Sequence, residues 1–176
     1  NAERFWCVFT ELLGAGIREH EPVFEDFYRN EFNKVSRLAY PTTKAGESVR
    51  MLRDKGYDLV LATNPLFPRV GTLARMRWAG VEPSDFSLIT TYEDCSYCKP
   101  STRYFEETLQ KIGKQPSQCI MVGNDADEDL VAAELGMDAF LLTDCLINKS
   151  GKDITKYKRG GFDELARFIG GLPELA

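Results

Sequence analysis

Apolar positions along the first forty residues recur with a helical period. Phe5, Val8, Phe9 and Leu12 fall on one face, and Val23, Phe24, Phe27, Tyr28 and Phe32 on another. Two helices are expected there, separated by Gly14 and Gly16. Pro41, Thr42 and Thr43 close the segment and supply a cap for the next helix.

Beyond that point helical periods alternate with short apolar runs, and glycines mark most helix ends. This is the layout of a parallel sheet covered on both faces. A helix from about Lys44 aligns Ala45, Val49 and Leu52 and stops at Gly56. Leu59 to Ala62 reads as a strand, and a helix from Pro68 stops at Gly80. Ser87 to Thr90 is a weaker strand. The helix from Ser101 aligns Phe105, Leu109 and Ile112 and stops at Gly113. Strand Cys119 to Val122 follows, and then a short helix from about Asp127 to Gly136. Ala139 to Leu142 reads as the last strand. A polar loop containing Gly160 and Gly161 leads to an amphipathic helix over Phe162 to Ile169.

The chain has 176 residues, 43% hydrophobic and 28% charged, enough for one substantial core and a small appendage. A net charge of -5, with both signs interspersed, offers no basic stripe for nucleic acid. No apolar run approaches the roughly 20 residues of a membrane span. Nucleic acid and membrane are therefore not expected partners. The five cysteines (Cys7, Cys95, Cys98, Cys119 and Cys145) are odd in number, and Cys119 opens a strand-like run. That pattern fits reduced thiols and a cytoplasmic setting.

In parallel α/β sheets the working residues lie just beyond the carboxyl ends of strands. Three such places carry polar chemistry. Leu59-Val60-Leu61-Ala62 runs into Thr63 and Asn64, a hydroxyl and an amide that can hold a phosphoryl oxygen. By itself Thr-Asn-Pro is also an ordinary turn. Lys99 stands before Pro100 and the cap Ser101; alone, it reads as a surface lysine. Cys119 to Val122 runs into Gly123, Asn124 and Asp125, then Asp127, Glu128 and Asp129. Four carboxylates in five positions suit a hard cation, and they equally suit the dipole of a first helical turn.

Taken in order, Thr63, Lys99 and the Asp125/Asp129 pair resemble the second, third and fourth motifs of the haloacid dehalogenase (HAD) superfamily. The resemblance covers the whole chain. It implies a three-layer, Rossmann-like parallel sheet with helices on both faces, and an HAD hydrolase of the subfamily with a helical cap. Residues 1–40 correspond to part of that cap and 41–176 to the core.

It further implies a Mg²⁺-dependent phosphohydrolase acting on a small phosphorylated metabolite through an aspartyl-phosphate. Thr63, Asn64 and Lys99 would bind phosphate, with Thr63 and Lys99 catalytic, and Asp125, Asp129 and Asn124 would serve the metal. Asn124 stands where the longer form of the fourth motif has Asp, so Asn124 and Asp125 both remain candidates, with Asp125 the expected ligand.

The family's first motif, DxDxT, whose first Asp is the nucleophile, occurs nowhere in these residues and is expected upstream of Asn1. The central strand that bears it would then be missing, leaving a slot about 10 Å wide between the strands ending at Thr63 and Val122. A chain without that motif is expected to be inactive alone. An alternative is a non-catalytic HAD-like binding module. A lesser one is a zinc or redox site at Cys95 and Cys98 with His20, Cys119 or Cys145.

Overall fold

The computed structural model describes residues 1–175. Helix α1 (Ala2–Leu13) starts at Asn1, whose side chain accepts from the Arg4 N–H, and it ends at Gly14. A 3-10 segment, Ala15–His20, leads to α2 (Glu21–Arg29), and a second, Glu31–Leu38, follows. Aromatic edges hold these pieces together: Phe5, Trp6, Phe9 and Phe24 meet one another in mostly edge-to-face pairs. Tyr28 and Phe32 reach out to Phe67, and Phe32 also reaches Trp78. Gly71 permits this close approach, since a Cβ there would stand 3.0 Å from the Tyr28 ring.

The remaining elements alternate: α3 (Thr43–Asp54), β1 (Val60–Leu61), α4 (Arg69–Ala79), β2 (Leu88–Ile89), α5 (Thr102–Ile112), β3 (Ile120–Gly123), β4 (Asp138–Leu142), β5 (Lys158–Gly160) and α6 (Phe162–Gly170). Helices α4 and α5 stop at Gly80 and Gly113 in the left-handed conformation (φ +69° and +64°), which other residues adopt only with strain.

All strand pairs are parallel. Strand β4 shows the layering, because its successive side chains point to opposite faces. Ala139 and Leu141 pack with Ala126 and Leu130, and Phe140 and Leu142 pack with Leu165 and Ile169 of α6 and Met51 and Leu52 of α3. On the α3 side, Met76 of α4 and Val49 pack with Leu61 and Ile89. On the opposite side, Tyr104 and Phe105 of α5 pack with Met121, Val131 and Ala132. The protein is thus a three-layer, Rossmann-like α/β fold.

Three features differ from the sequence reading. The polar loop contains a strand: Lys158–Gly160 pairs in parallel with β4, so Ala139 to Leu142 is not the last strand. It carries no apolar signal because it lies at the sheet edge. The short helix expected from Asp127 is a 3-10 segment, Leu130–Leu135. Residues 124–126 are instead drawn into a bridge with the loop after β4, where the Ala126 N–H donates to Ile147 O and the Ile147 N–H to Asn124 O, each at 2.8 Å.

The strands also form two ladders, β1-β2 and β3-β4-β5. Among the described residues no ladder joins β1 to β3. No helix is long and apolar enough to cross a membrane among the described residues.

Candidate active site

The carboxyl ends of β1, β2 and β3 and the segment before α5 are linked by one polar network. At the end of β1, the Thr63 N–H donates to Thr90 Oγ1 (2.9 Å), and the Thr63 hydroxyl donates to the Thr90 carbonyl (3.2 Å). Thr90, just beyond β2, is buried. Tyr104, in the first turn of α5, donates its hydroxyl proton to the Thr63 carbonyl (2.7 Å) and lies 3.1 Å from Thr90 Oγ1. Burial pushes the Tyr104 phenol well above its ordinary value, outweighing the opposing hydrogen bond from Thr90. The phenol therefore keeps its proton at neutral pH and acts as a donor.

Lys99 is only 8% exposed. Its ammonium donates to Asp129 Oδ1 at 2.6 Å and stands 5.7 Å from the ring centres of both Tyr104 and Phe105. A lysine that by type alone reads as a surface residue is buried because a carboxylate meets it. The other oxygen of Asp129 accepts the Asp125 N–H at 3.0 Å. Gly123 leaves room for that carboxylate: a Cβ there would lie 2.1 Å from Asp129 Oδ2.

Asp125 caps the following turn, its Oδ1 accepting from the N–H groups of Asp127 (2.9 Å) and Glu128 (3.0 Å). Asn124 turns its amide to the Cys145 carbonyl at 2.7 Å. Asn64 donates to Glu128 Oε1 at 3.0 Å, so the ends of β1 and β3 are bridged by side chains. Its Oδ1 is buried without a hydrogen-bond partner among the described residues.

The structure thus brings Thr63, Asn64, Lys99, Asp125 and Asp129 into one connected network, with Asn124 beside it but held toward the 145 loop. Asp127 points away and binds the N–H groups of Lys149 and Ser150. Sequence reasoning missed Thr90 and Tyr104. Tyr104 is flagged only by sitting one position from the apolar face of α5, a place where a buried Tyr needs a partner for its hydroxyl.

Among the described residues no three His, Cys, Asp or Glu side chains gather where one ion could join them. Of the two cysteines in the alternative zinc or redox reading, Cys95 is buried and Cys98 exposed, both as free thiols.

Fold and network together define a Rossmann-like α/β protein with its polar chemistry at one rim of the sheet. The chain belongs to the haloacid dehalogenase-like hydrolase family, whose model matches residues 8–136. It is 30% identical over 164 residues to a glyceraldehyde 3-phosphate phosphatase of Methanothermobacter thermautotrophicus, covering 88% of this chain and 70% of that protein. It is 29% identical over 135 residues to a phosphoglycolate phosphatase of Vibrio vulnificus, covering 76% and 55%. A crystal structure of an HAD phosphatase from Thermococcus onnurineus shares the fold with a TM-score of 0.63 at 23% identity, covering 84% of this chain and 66% of that one. The chain therefore spans 55% to 70% of the length of these proteins.

Proposed function

We propose that the protein is a phosphohydrolase that removes phosphate from a small phosphomonoester by transferring it first to an aspartate and then to water. This chain supplies the phosphate-binding and charge-balancing part of that site. The observation carrying the reading is the gathering of Thr63, Asn64, Lys99, Asp129 and Asp125 at one rim of the sheet, with Asn64 bonded to Glu128 and Lys99 to Asp129. The phosphatase relatives support the reaction class. No residue of the chain is assigned the nucleophile's role. Residues 1–40 act as part of a cap that closes over the substrate, and 41–176 form the catalytic core.

The physical problem is charge. Each like-charged pair at about 4 Å costs on the order of 4 kcal/mol at an effective dielectric of 20. Lys99 already offsets Asp129 and is the fixed positive charge nearest the acidic strand end. The Thr63 hydroxyl rests on the Thr90 carbonyl at 3.2 Å, a long contact that it can exchange for a phosphoryl oxygen. The Asn64 side chain adds a second polar group at the same strand end.

Asp125 fits a hard cation, since its second oxygen makes no hydrogen bond among the described residues. Asp129 is committed to Lys99 and the Asp125 N–H, and Asn124 can offer only its Oδ1. These three would form part of a Mg²⁺ coordination sphere, not all of it. When bound, the ion supplies positive charge opposite the phosphoryl oxygens. The five free thiols fit a reducing, cytoplasmic setting.

The test uses protein expressed from its complete reading frame, with Mg²⁺ and three substrates: an aryl phosphate, phosphoglycolate and glyceraldehyde 3-phosphate. Phosphate release is expected from at least one, lost on chelation of the metal and reduced roughly 10²- to 10³-fold by Lys99→Met. Release from none of them, or unchanged turnover in the variant, overturns the reading.

A further inference from the structure

We infer that Tyr104 is a positioning residue that holds the Thr63 hydroxyl and the Lys99 ammonium in one fixed relation, and so sets the geometry in which a phosphoryl group is bound. The inference rests on the phosphohydrolase reading and adds to it a residue outside every motif.

Tyr104 is fully buried, bonded to Thr63 and with its ring facing Lys99. Its hydroxyl holds the Thr63 carbonyl at 2.7 Å, and the face of its ring lies 5.7 Å from Lys99 Nζ. Thr63 lies beyond the last β1-β2 pair, so its backbone groups have no ladder to hold them. Two hydroxyls do so instead: Tyr104 takes the carbonyl and Thr90 takes the N–H.

The Tyr104 ring also fills the core beside Phe105, Met121 and Val131, so phenylalanine would keep the packing and lose only the hydroxyl. Thr90 Oγ1, at 3.0 Å from the Thr63 carbonyl, can then turn its proton to that oxygen. The strand end would remain folded, while losing the second anchor that fixes its peptide plane. A shift on the order of 1 Å at a reacting group can cost roughly 10²-fold in rate, so the hydroxyl matters far more for turnover than for folding.

The test compares wild type, Tyr104→Phe, Thr90→Val and Thr90→Ser in the complete protein. Tyr104→Phe and Thr90→Val are expected to lower kcat roughly 10- to 100-fold with KM within about threefold, while Thr90→Ser restores most of it. Backbone amide exchange at Thr63 should quicken about three- to tenfold in Tyr104→Phe, because opening the strand end, which frees the Thr63 N–H from Thr90, no longer has to break the bond at the Thr63 carbonyl as well. An active wild type with Tyr104→Phe within about twofold of it in kcat overturns the inference, as does unchanged exchange at Thr63. A wild type that releases no phosphate overturns the hydrolase reading instead, and the Thr63 exchange then decides separately whether Tyr104 anchors this strand end.

Discussion

Lys99 and Asp129 are buried together, with 5% and 9% of their side chains exposed. Removing one member of such a pair leaves an uncompensated charge, which costs about 3–5 kcal/mol, whereas replacing both can be nearly neutral. Lys99→Ala is therefore expected to lose that much stability in urea unfolding, and Lys99→Met with Asp129→Asn to recover most of it. A single variant within about 1 kcal/mol of wild type would show that the pair is solvated. At the residue scale Thr63, Lys99 and Asp129 were legible because each is a polar group placed straight after a strand or before a helix. The engagement of Asn124 with Cys145 was not, because it depends on where the loop after β4 returns.

Strand β5 shows what an element needs beyond an apolar pattern. Lys158-Arg159-Gly160 carries no strand signal, yet it pairs with Phe140 to Leu142 and is tied by the ion pair between Lys158 and Asp138. The Lys158 hydrogen bond, against a smaller opposing effect of burial, holds the Asp138 carboxyl below its ordinary value of 3.8. A lowered carboxyl contributes stability above its unfolded value and loses it as pH falls through the folded one. Both side chains are about half exposed, so the contribution is small. Asp138→Asn is expected to lower unfolding free energy by less than about 1 kcal/mol at pH 7. That deficit should shrink progressively as pH falls below 3.8; one that stays constant there would assign the loss to packing instead. Helices α3 to α6 were legible because each has its own period and stop signal. The 3-10 segment Leu130–Leu135 was misread as a longer helix because the bridge to Ile147 diverts the chain before it.

Across the whole molecule, the two ladders differ in what supports them. Strand β4, at the centre of its ladder, is packed on both faces, while β1 and β2 pair over two residues each. Protection from exchange follows buried contacts, so the Leu141 amide should exchange only on global unfolding and the amides of the β1-β2 ladder through smaller openings. Exchange mapped residue by residue would refute this if Ile89 matched Leu141. The sequence by itself determined the α/β alternation, the helix ends and the order of polar strand ends, since these follow from neighbours within one or two turns of chain. Only the tertiary structure decided which hydroxyls hold Thr63, which carboxylate meets Lys99 and how the strands divide into ladders. Thr63 meets Thr90 and Tyr104 across 27 and 41 residues, and Lys99 meets Asp129 across 30. No local period encodes a contact of that span; it exists only once the layers have packed.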